Sequence, residues 1–444
     1  MSTIAPGPRG LPLLGNLPQW RAAPAEFLLG LRRDHGGVVR LRIGPYLMHL
    51  VTDPAAVHRV LVENNRNYVR GKLYEQFKLV MGEGLLTTDG PVWKSHRRVV
   101  QPAFHGGVVN AIVPSVVEAT GEMLDRWEVK AREGEPVDLL DEMLRLTLVT
   151  LSRSLFGYDP AEAVPAMKRI GDACMELMFP HGLLSEHLPG WVPTARNQRV
   201  RRVDRFFTSL IDDIRANHAR TGGGRLVELV ERAGWTDREV RDELLTVYLA
   251  GHETTATSAC WALWAIANHR HVEEELVAEV GRVLGDRVPV AGDLPGLEGT
   301  GHAIDEALRL YPPIWTFPRD AVDDDVVGGH DIPGGSSILL SPLVTHRDPD
   351  VWENPEAFDP RRFAGGAGRE RAKLTYFPFG GGARLCVGKE MALLELRVIV
   401  AMVLRRFRVE AVPGRFLTYG QSMISLRPRQ GVRVRLRLRE PVGA

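Results

Sequence analysis

The sequence predicts one mainly helical domain with a small β region. Helical periodicity dominates the middle of the chain, where an apolar pattern continues from Asp237 to His269. Strand patterns are short and occur only near the N-terminus and in the last third of the chain. No internal repeat and no linker divides residues 1–444, so we expect a single domain, although this length would suffice for about three.

Composition indicates a folded protein and excludes several classes of function. Hydrophobic residues make up 44% of the chain and charged residues 25%, as in ordinary globular proteins. The 45 glycines and 30 prolines predict many turns and long ordered loops. A net charge of +1 provides no field for general nucleic-acid binding. Three scattered cysteines cannot form a disulfide framework or a cysteine-rich zinc site.

The N-terminal segment contains no targeting or membrane signal. Residues 1–20 are rich in proline and glycine and lack the apolar core of a signal peptide. No stretch approaches 18 uninterrupted apolar residues, so we predict neither a transmembrane helix nor a membrane anchor. The low and odd cysteine count is typical of a reducing compartment, and we expect a cytoplasmic protein.

The first ninety residues are predicted to form short elements. Helices are expected at Pro24–Arg33 and Pro54–Asn64. Two strands separated by Gly44-Pro45 predict a hairpin between these helices. The strands are Val38–Ile43 and Leu47–Thr52. Val69–Gly90 is expected to be a long loop.

Helices are predicted for most of the chain between Pro91 and Leu310. They are Pro91–Gln101, Gly107–Glu133, Leu139–Phe156, Ala161–Met178, Arg196–Arg220, Asp237–His269, His271–Leu284 and Gly299–Leu310. The pair Pro312-Pro313 ends the last of them. Short strands are expected up to Arg384, then a final helix at Lys389–Phe407. A half-buried strand follows at Val432–Arg439, where Val and Leu alternate with Arg.

The strongest chemical signal is the segment FGGGARLCVG at 379–388, in which a thiol lies between a glycine-rich loop and a helix. Glycines let the backbone approach a bulky flat ligand, and amides at a helix start favour a thiolate. Arg384 could bind a carboxylate through two hydrogen bonds. A Cys386 thiolate held in this way is suited to be an axial ligand of haem iron. A buried structural cysteine, the alternative, suffices for Cys174 and Cys260 but leaves this segment unexplained.

Phe379, Gly382, Arg384, Cys386 and Gly388 match F-x-x-G-x-R-x-C-x-G, the haem-binding signature of the cytochrome P450 monooxygenases. The sequence resembles a soluble bacterial-type member of this family over most of its length. The resemblance implies the cytochrome P450 fold, with haem b between an oxygen-activating helix and the loop and helix of the cysteine. It also makes Cys386 the axial ligand of the iron.

The segment AGHETT at 250–255 resembles the oxygen-activating motif of the family. The resemblance implies that Thr254 stabilises an oxygen intermediate and that Glu253 relays protons. It also places Ala250 and Gly251 beside the haem, where Gly251 would leave room for dioxygen, helped by a non-α kink. The alternative is that the two threonines only tune helix packing. A zinc-protease H-E-x-x-H motif is excluded because residue 256 is alanine.

Glu306 and Arg309 share one helix face and can pair. Alone, such a pair is usually a surface feature of small energetic value. Together with Arg362 in Pro360-Arg361-Arg362-Phe363, the pair resembles the E-x-x-R triad of the family. The role implied is structural: a buried charge network that fixes the core near the haem.

Trp93 and Arg97 lie one turn apart on a predicted helix. In the family this helix offers both side chains to a haem propionate, and Arg319 and Arg384 match two further propionate-binding arginines. Three cations suit a dianionic cofactor in a dry pocket. A solvated side chain is the alternative for each arginine taken singly, above all for Arg97.

The resemblance implies a haem-thiolate monooxygenase that inserts one atom of O2 into an apolar small molecule by hydroxylation or epoxidation. No reductase domain follows Cys386, so we expect NAD(P)H electrons to arrive through a separate ferredoxin and ferredoxin reductase. We hypothesise that some cations on two helices dock an acidic ferredoxin, ordinary solvated charge being the alternative. These cations are Lys94, Arg98, Lys389 and Arg397.

The segments that face the haem in the family are mostly apolar in this sequence, which favours an apolar substrate bound by shape and desolvation. Their residues are Phe77, Leu85, Leu86, Val247, Ala250, Ile314, Trp315, Phe317, Met423 and Ile424. The pattern is similar to bacterial members that modify terpenoids and polyketides. A fatty acid is the alternative substrate, because Arg70, Lys72 or Lys78 could meet its carboxylate.

Two other kinds of protein remain open. One is a peroxide-driven enzyme of the same fold, and the other is a haem sensor or carrier without turnover. The acid–alcohol pair Glu253-Thr254 argues against both, because neither needs a proton relay.

Overall fold

The computed structural model describes residues 2–160, 164–177, 191–366, 374–412 and 425–439. Helices predominate and the β region is small, so the predicted fold class is confirmed. The helices of the described chain are α1 (Leu17–Ala22), α2 (Pro24–His35), α3 (Pro54–His58), α4 (Leu73–Met81), α5 (Gly90–Val100), α6 (Gly106–Ala111), α7 (Val113–Glu133), α8 (Leu139–Leu151), α9 (Val164–Leu177), α10 (Ala195–Thr221), α11 (Arg225–Glu231), α12 (Asp237–Ala267), α13 (Arg270–Leu284), α14 (Glu298–Leu310), α15 (Pro342–Thr345) and α16 (Lys389–Arg406).

The strands of the described residues form sheets of five, three and two strands, in the orders β1-β2-β8-β5-β3, β4-β10-β9 and β6-β7. They are β1 (Val38–Ile43), β2 (Tyr46–Val51), β3 (Tyr68–Val69), β4 (Val137–Asp138), β5 (Phe317–Ala321), β6 (Asp325–Val327), β7 (His330–Ile332), β8 (Ser337–Leu340), β9 (Phe407–Ala411) and β10 (Arg433–Leu438). The predicted hairpin is confirmed: β1 and β2 pair antiparallel, from Val38 opposite Val51 to Ile43 opposite Tyr46. In β10, Val434 and Leu436 are buried between exposed arginines, as the alternation predicted.

The chain forms two compact units. The first unit contains residues 1–71, 120–143 and 254–444, and the second contains residues 72–119 and 144–253. All described strands belong to the first unit, whereas the described part of the second is helical. The boundary crosses α12 between Glu253 and Thr254. The single functional domain over residues 1–444 stays a prediction.

Helix α16 is a buried element of the first unit. Its apolar residues occur on every face, and all but Arg397 are buried from Leu394 to Leu404. A helix that is apolar all round belongs inside a protein rather than at its surface. Because α16 begins three residues after Cys386, it provides a fixed support for the cysteine loop.

Several predicted boundaries were wrong for local reasons. The region 69–90 is not one loop, since α4 lies within it between Gly71 and Gly82, which both have positive φ. The helix predicted at 107–133 is divided into α6 and α7, because Pro114 has no N–H to continue the hydrogen-bond ladder. Helix α11 was not predicted, being only seven residues long.

No helix in the described ranges is both long and apolar enough to cross a membrane.

Candidate active site

Cys386 lies at the end of a closed loop in the first unit. Its backbone N–H donates to the carbonyl of Phe379 over 3.0 Å, which closes a turn of eight residues. Inside this turn, Leu385 N–H donates to Gly382 O over 3.1 Å. The loop therefore holds Phe379, Gly382, Arg384 and Cys386 together, and Gly388 precedes the first residue of α16.

The structure describes all three cysteines, and they differ in their exposure to solvent. Cys386 is exposed, whereas Cys174 and Cys260 are buried at 3% and 0% exposure. Burial, with a smaller contribution from Glu253, raises the pKa of the Cys174 thiol to about 12. Burial also raises the pKa of the Cys260 thiol well above its ordinary value. Cys386 is thus the cysteine that can offer its sulfur to a ligand.

The backbone of the loop requires glycine at residue 382. Gly382 has φ +62°, and a Cβ atom added there would lie 1.9 Å from the carbonyl oxygen of Leu61. The π-helical turn Arg59–Glu63, which follows α3, supplies this carbonyl. The glycine lets two backbone segments of the first unit approach each other, a structural reason for it that the motif alone does not reveal.

We expect Gly382→Ala to destabilise the cysteine loop much more than Gly380→Ala. Both residues have positive φ, which costs an alanine roughly 1–2 kcal/mol. At Gly380 the nearest atom to an added Cβ lies 3.9 Å away, so only the backbone cost applies. The measurement is the thermal unfolding midpoint together with the haem content of each purified variant. Equal losses in the two variants would contradict a fixed contact between Gly382 and Leu61.

The predicted triad is present and buried in the first unit. Arg309 donates from Nε and Nη2 to the two carboxylate oxygens of Glu306, at 2.7 and 2.9 Å, and both side chains are fully buried. Arg362 Nε donates to Glu306 Oε1 over 3.2 Å. The remaining donors of Arg309 reach the carbonyls of His346, Pro355 and Ala357. This satisfies the demand of a buried charge network for complete pairing.

His346 connects the triad to the polypeptide that leads into the cysteine loop. Its carbonyl accepts from Arg309, and its Nε2 accepts from Phe377 N–H over 2.9 Å. Burial, and then the nearby Arg309 charge, lower the pKa of His346 well below its usual range. A neutral imidazole can act as the acceptor that this contact needs. This contact, which joins residues 31 positions apart, was not predicted from the sequence.

Helix α12 becomes accessible at the predicted oxygen motif. Residues Asp242–Tyr248 are buried and Ala256–Ile266 are largely buried, whereas Ala250 is exposed and Gly251–Thr254 are partly exposed. A buried helix that opens at one turn is what a reaction site on its surface requires. The helix stays α-helical throughout, so the non-α kink that we predicted at Gly251 is absent from α12.

Gly251 has a packing role that the motif did not indicate. A Cβ atom added there would lie 3.0 and 3.1 Å from the two methyl carbons of Leu151, at the end of α8. Thr147 of the same helix donates from Oγ1 to His252 O over 2.9 Å. Within the second unit, the glycine therefore allows α8 to approach α12 closely.

One oxygen of the Glu253 carboxyl group is shielded from solvent, although the residue as a whole is partly exposed. Its Oε1 is buried and has no hydrogen-bond partner among the described residues. Cys174 of α9 is near enough for the Glu253 charge to contribute to its raised thiol pKa. The next residue, Thr254, accepts at its carbonyl from Ser258 Oγ over 2.8 Å. An acid with one buried carboxylate oxygen and an alcohol are thus consecutive residues on the accessible turn of α12.

The predicted propionate-binding residues divide between the two units. Trp93 and Arg97 are half-buried on α5, and Arg97 Nε donates to Gln101 over 3.0 Å. Arg319 is buried in β5, with its guanidinium 5.1 Å from the ring centre of Phe317. Arg384 is half-buried in the turn before Cys386. Each arginine is thus at least half-buried, which does not favour the solvated alternative.

The predicted substrate residues have different environments. Phe77, Leu85, Leu86, Ile314 and Phe317 are half-buried, and Val247 is buried. Trp315 is 1% exposed and stacks on Trp20 at 6.4 Å, a placement that favours a core role over substrate contact. Met423 and Ile424 lie outside the described residues. Ser425, the next described residue, forms a bridge with Ile314.

Sequence reasoning also missed a group of polar residues in the second unit. Asp242 and Glu243 of α12 are buried, as is His96 of α5. Glu243 contacts the His96 ring at 2.5 Å. No motif drew attention to them; the available signal was two consecutive acids on the apolar part of a predicted helix.

The sequence matches a known protein family over nearly its whole length. The family model described as Cytochrome P450 matches residues 5–431. The chain belongs to the cytochrome P450 family. It is 34% identical to cyclooctatin synthase of Streptomyces melanosporofaciens, and 33% identical to cyclooctat-9-en-7-ol 5-monooxygenase of the same organism. Each alignment covers 93% of this chain and 91% of the relative.

Solved structures support the same assignment. The crystal structure of the cytochrome P450DA heme domain superposes with a TM-score of 0.86 at 26% identity, and covers 99% of this chain and 98% of that one. The protein is therefore a P450 monooxygenase, an oxidoreductase that incorporates oxygen from O2. The family implies haem as cofactor and O2 as co-substrate.

The residues present fit a haem group. The exposed Cys386 supplies a sulfur donor, and at Gly380 of its loop the nearest atom to an added Cβ lies 3.9 Å away. In the same unit, the buried Arg319 and the half-buried Arg384 supply cations for propionates.

Proposed function

We propose that this P450 hydroxylates or epoxidises an apolar terpenoid-type molecule, with Cys386 as the thiolate ligand of haem b. The observation that carries the proposal is the exposed sulfur at the end of a closed loop, in a chain whose other two cysteines are buried. A thiolate ligand favours cleavage of the O–O bond, which a monooxygenase needs.

Two observations support a terpenoid substrate. The relatives at 34% and 33% identity include a terpenoid hydroxylase, by its name a 5-monooxygenase of cyclooctat-9-en-7-ol. The half-buried predicted substrate residues are apolar, and an apolar lining selects by shape and desolvation. A polyketide of similar polarity would meet the same lining.

A fatty acid is less well supported by the contacts near α4. Lys78, a candidate partner for its carboxylate, already pairs with Glu75 at 3.0 Å and Glu83 at 3.5 Å. A carboxylate ligand would have to compete with two protein carboxylates for this cation.

In the proposed mechanism, haem when bound supplies the activation of dioxygen and the transfer of oxygen to the substrate. Cys386 Sγ would bind its iron, and Trp93, Arg97, Arg319 and Arg384 would hold its propionates. The carbonyl of Phe379 keeps the Cys386 backbone in place by accepting its N–H. The triad of Glu306, Arg309 and Arg362 holds the surrounding backbone through carbonyl contacts.

Proton delivery would depend on two adjacent groups of α12. The Glu253 carboxylate can hold a proton at Oε1, which has no other partner among the described residues. The Thr254 hydroxyl can pass or donate a proton at Oγ1 on the accessible turn. Positioned proton transfer of this kind contributes about 10²–10⁴-fold to enzymatic rates.

Replacing Thr254 tests the proposed chemistry. In Thr254→Ala we expect product formed per NADPH consumed to fall by about 10²-fold, because proton delivery fails while electron supply continues. The measurement is product and NADPH consumption with a terpenoid found by spin-state screening. Thr257→Ala is the matched control, since Thr257 lies one turn away and is fully buried, and it should retain coupling.

The same variant discriminates between the other classes. Peroxide-driven turnover would leave Thr254→Ala as active as the parent protein with peroxide and independent of NADPH. A sensor or carrier would show no product in either protein. Unchanged coupling in Thr254→Ala would overturn the proton-delivery role.

We also propose that electrons come from a separate ferredoxin, itself reduced by a reductase with NAD(P)H, and that α5 contributes to docking. Lys94 and Arg98 are exposed one turn apart on α5. Arg397 is less suitable, because its guanidinium packs against Gly301, where an added Cβ would lie 2.9 Å from Nη2. Lys389 is half-buried and 3.8 Å from Glu390.

Charge reversal tests this docking surface. Lys94→Glu with Arg98→Glu should slow reduction by a ferredoxin about tenfold or more at low salt, and the difference should shrink as salt screens the charges. Arg202→Glu is the control, being exposed on α10 of the same unit. Reduction rates and salt dependence equal to those of the parent would exclude docking through α5.

A further inference from the structure

The loop Gly82–Thr88 is fastened to α12 by two consecutive buried carboxylates. Asp242 Oδ2 accepts from Glu83 N–H over 3.0 Å, and Glu243 Oε2 accepts from Leu85 N–H over 2.9 Å. Asp242 is 2% exposed and Glu243 is fully buried. Alternate amides of the loop thus bond to neighbouring acids, which sets the loop in one register on the helix.

The loop also fits closely against the same helix face. A Cβ atom added at Gly82 would lie 2.1 Å from the Asp242 carboxyl carbon, and one added at Gly84 would lie 2.2 Å from Thr246 Oγ1. Within the loop, Thr87 Oγ1 donates to Gly82 O over 2.8 Å and accepts from Gly84 N–H over 3.1 Å. The loop is therefore internally braced as well as attached to α12.

Glu243 extends this attachment to helix α5. The oxygen that accepts from Leu85, Oε2, also contacts His96 Nδ1 at 2.5 Å. The His96 ring is 2% exposed and stacks on Trp235 with ring centres 4.4 Å apart, so it cannot turn away without losing that packing. One carboxylate oxygen thus joins the loop, α5 and α12, all within the second unit.

The buried Glu243 carboxylate has a cost in folding free energy. This cost is explained if the position that it fixes serves ligand binding. Asp242 has a cation, Arg241, at 2.8 Å, whereas Glu243 contacts the loop amide and His96. Its second oxygen, Oε1, is buried without a hydrogen-bond partner among the described residues. Burying a carboxylate with incomplete pairing opposes folding. The loop and α5, which Glu243 joins, carry residues with proposed ligand contacts. Leu85 and Leu86 are proposed to contact the substrate, and Trp93 and Arg97 are proposed to hold the propionates.

We propose that Glu243 is a positioning residue for the substrate loop. It holds Leu85 and the His96 helix at a single carboxylate oxygen. The loop is then already in place as one side of the binding site when a bulky apolar ligand binds. The inference rests on the proposed function, because it assigns Leu85 and Leu86 to the substrate side of the haem. Glu243 acts through the loop and touches neither substrate nor cofactor.

The test compares a bulky and a small haem ligand in the intact holoenzyme. Clotrimazole, a large apolar azole, and imidazole both report binding by the shift of the haem absorption band. In Glu243→Gln, an amide replaces the carboxylate. We expect the dissociation constant of clotrimazole to rise about tenfold, because the loop loses a hydrogen bond to a charged acceptor. Imidazole is too small to need the loop, and its constant should change less than about twofold.

Hydrogen–deuterium exchange provides a readout that needs no haem ligand. The amides of Glu83 and Leu85 should exchange faster in Glu243→Gln than in the parent protein, because Leu85 loses a charged acceptor and the loop loosens. Glu279→Gln is the matched control. Glu279 is a half-buried carboxylate that accepts from Gly299 and Thr300 N–H at the start of α14, in the first unit.

His96→Leu provides a second variant if Glu243→Gln does not fold. It removes the ring contact while leaving the carboxylate. It should also weaken the binding of clotrimazole more than the binding of imidazole. Unchanged clotrimazole affinity and unchanged loop exchange in either folded variant would overturn the proposal, as would equal weakening of both azoles. Absence of any azole shift in the parent protein would instead overturn the proposed function, and loop exchange would still decide the role of Glu243.

Discussion

Cys386→His is expected to abolish the strongly red-shifted Soret band of the reduced carbon monoxide complex and to reduce monooxygenase turnover to background. The thiolate donates electron density that an imidazole does not, and this density promotes O–O cleavage. Histidine can still ligate iron, so the variant should retain haem with an ordinary carbon monoxide band. The measurement is the dithionite-reduced difference spectrum, followed by a product assay.

The buried cysteines are the matched controls for this variant. Cys174→Ala and Cys260→Ala remove thiols at 3% and 0% exposure, and both should keep the red-shifted band. Loss of the band in either control, or its survival in Cys386→His, would contradict Cys386 as the axial ligand. A parent protein that takes up no haem would contradict every role proposed here that depends on that cofactor.

Arg309→Ala is expected to lower the free energy of unfolding by about 3–5 kcal/mol, the cost of leaving a buried partner unpaired. Glu306 would remain fully buried beside Arg362, which is 12% exposed at its side chain and 3.2 Å away. The carbonyls of His346, Pro355 and Ala357 would also lose their donor. Urea unfolding monitored by far-UV circular dichroism measures the loss, and haem content should fall with it.

Arg270→Ala is the control for the buried triad. Arg270 pairs with Glu274 four residues away at 2.6 Å, but both side chains are more than half exposed. Exposed pairs contribute about 0–1 kcal/mol, so this variant should unfold close to the parent. Similar losses of unfolding free energy in Arg270→Ala and Arg309→Ala would show that burial does not determine how much the triad stabilises the protein.

Much of the candidate site could be predicted because its residues are close in the sequence. The cysteine loop occupies ten consecutive residues, and the acid–alcohol pair occupies two. Glu306 and Arg309 are three residues apart on one helix, so helical geometry alone brings them together. Local spacing carries this information, and no long-range contact had to be known.

Other features could not be predicted because they depend on contacts between distant segments. Trp315 has the composition of a substrate contact, yet its ring stacks on Trp20, almost three hundred residues earlier. Gly251 was interpreted through dioxygen alone, although Leu151 also packs against it. An apolar side chain in a sequence does not reveal whether its neighbour will be a ligand or another side chain.

The sequence by itself indicated the fold class through short-range periodicity. Its short motifs resemble those of the family, and this resemblance pointed to Cys386 and to the acid–alcohol turn. Tertiary structure alone decided that Gly382 faces the Leu61 carbonyl and that His346 accepts from Phe377. It also decided that Glu243 joins a loop amide to His96. These contacts join residues between 31 and 321 positions apart, and such pairing arises only when packing removes polar groups from water and forces them to find partners.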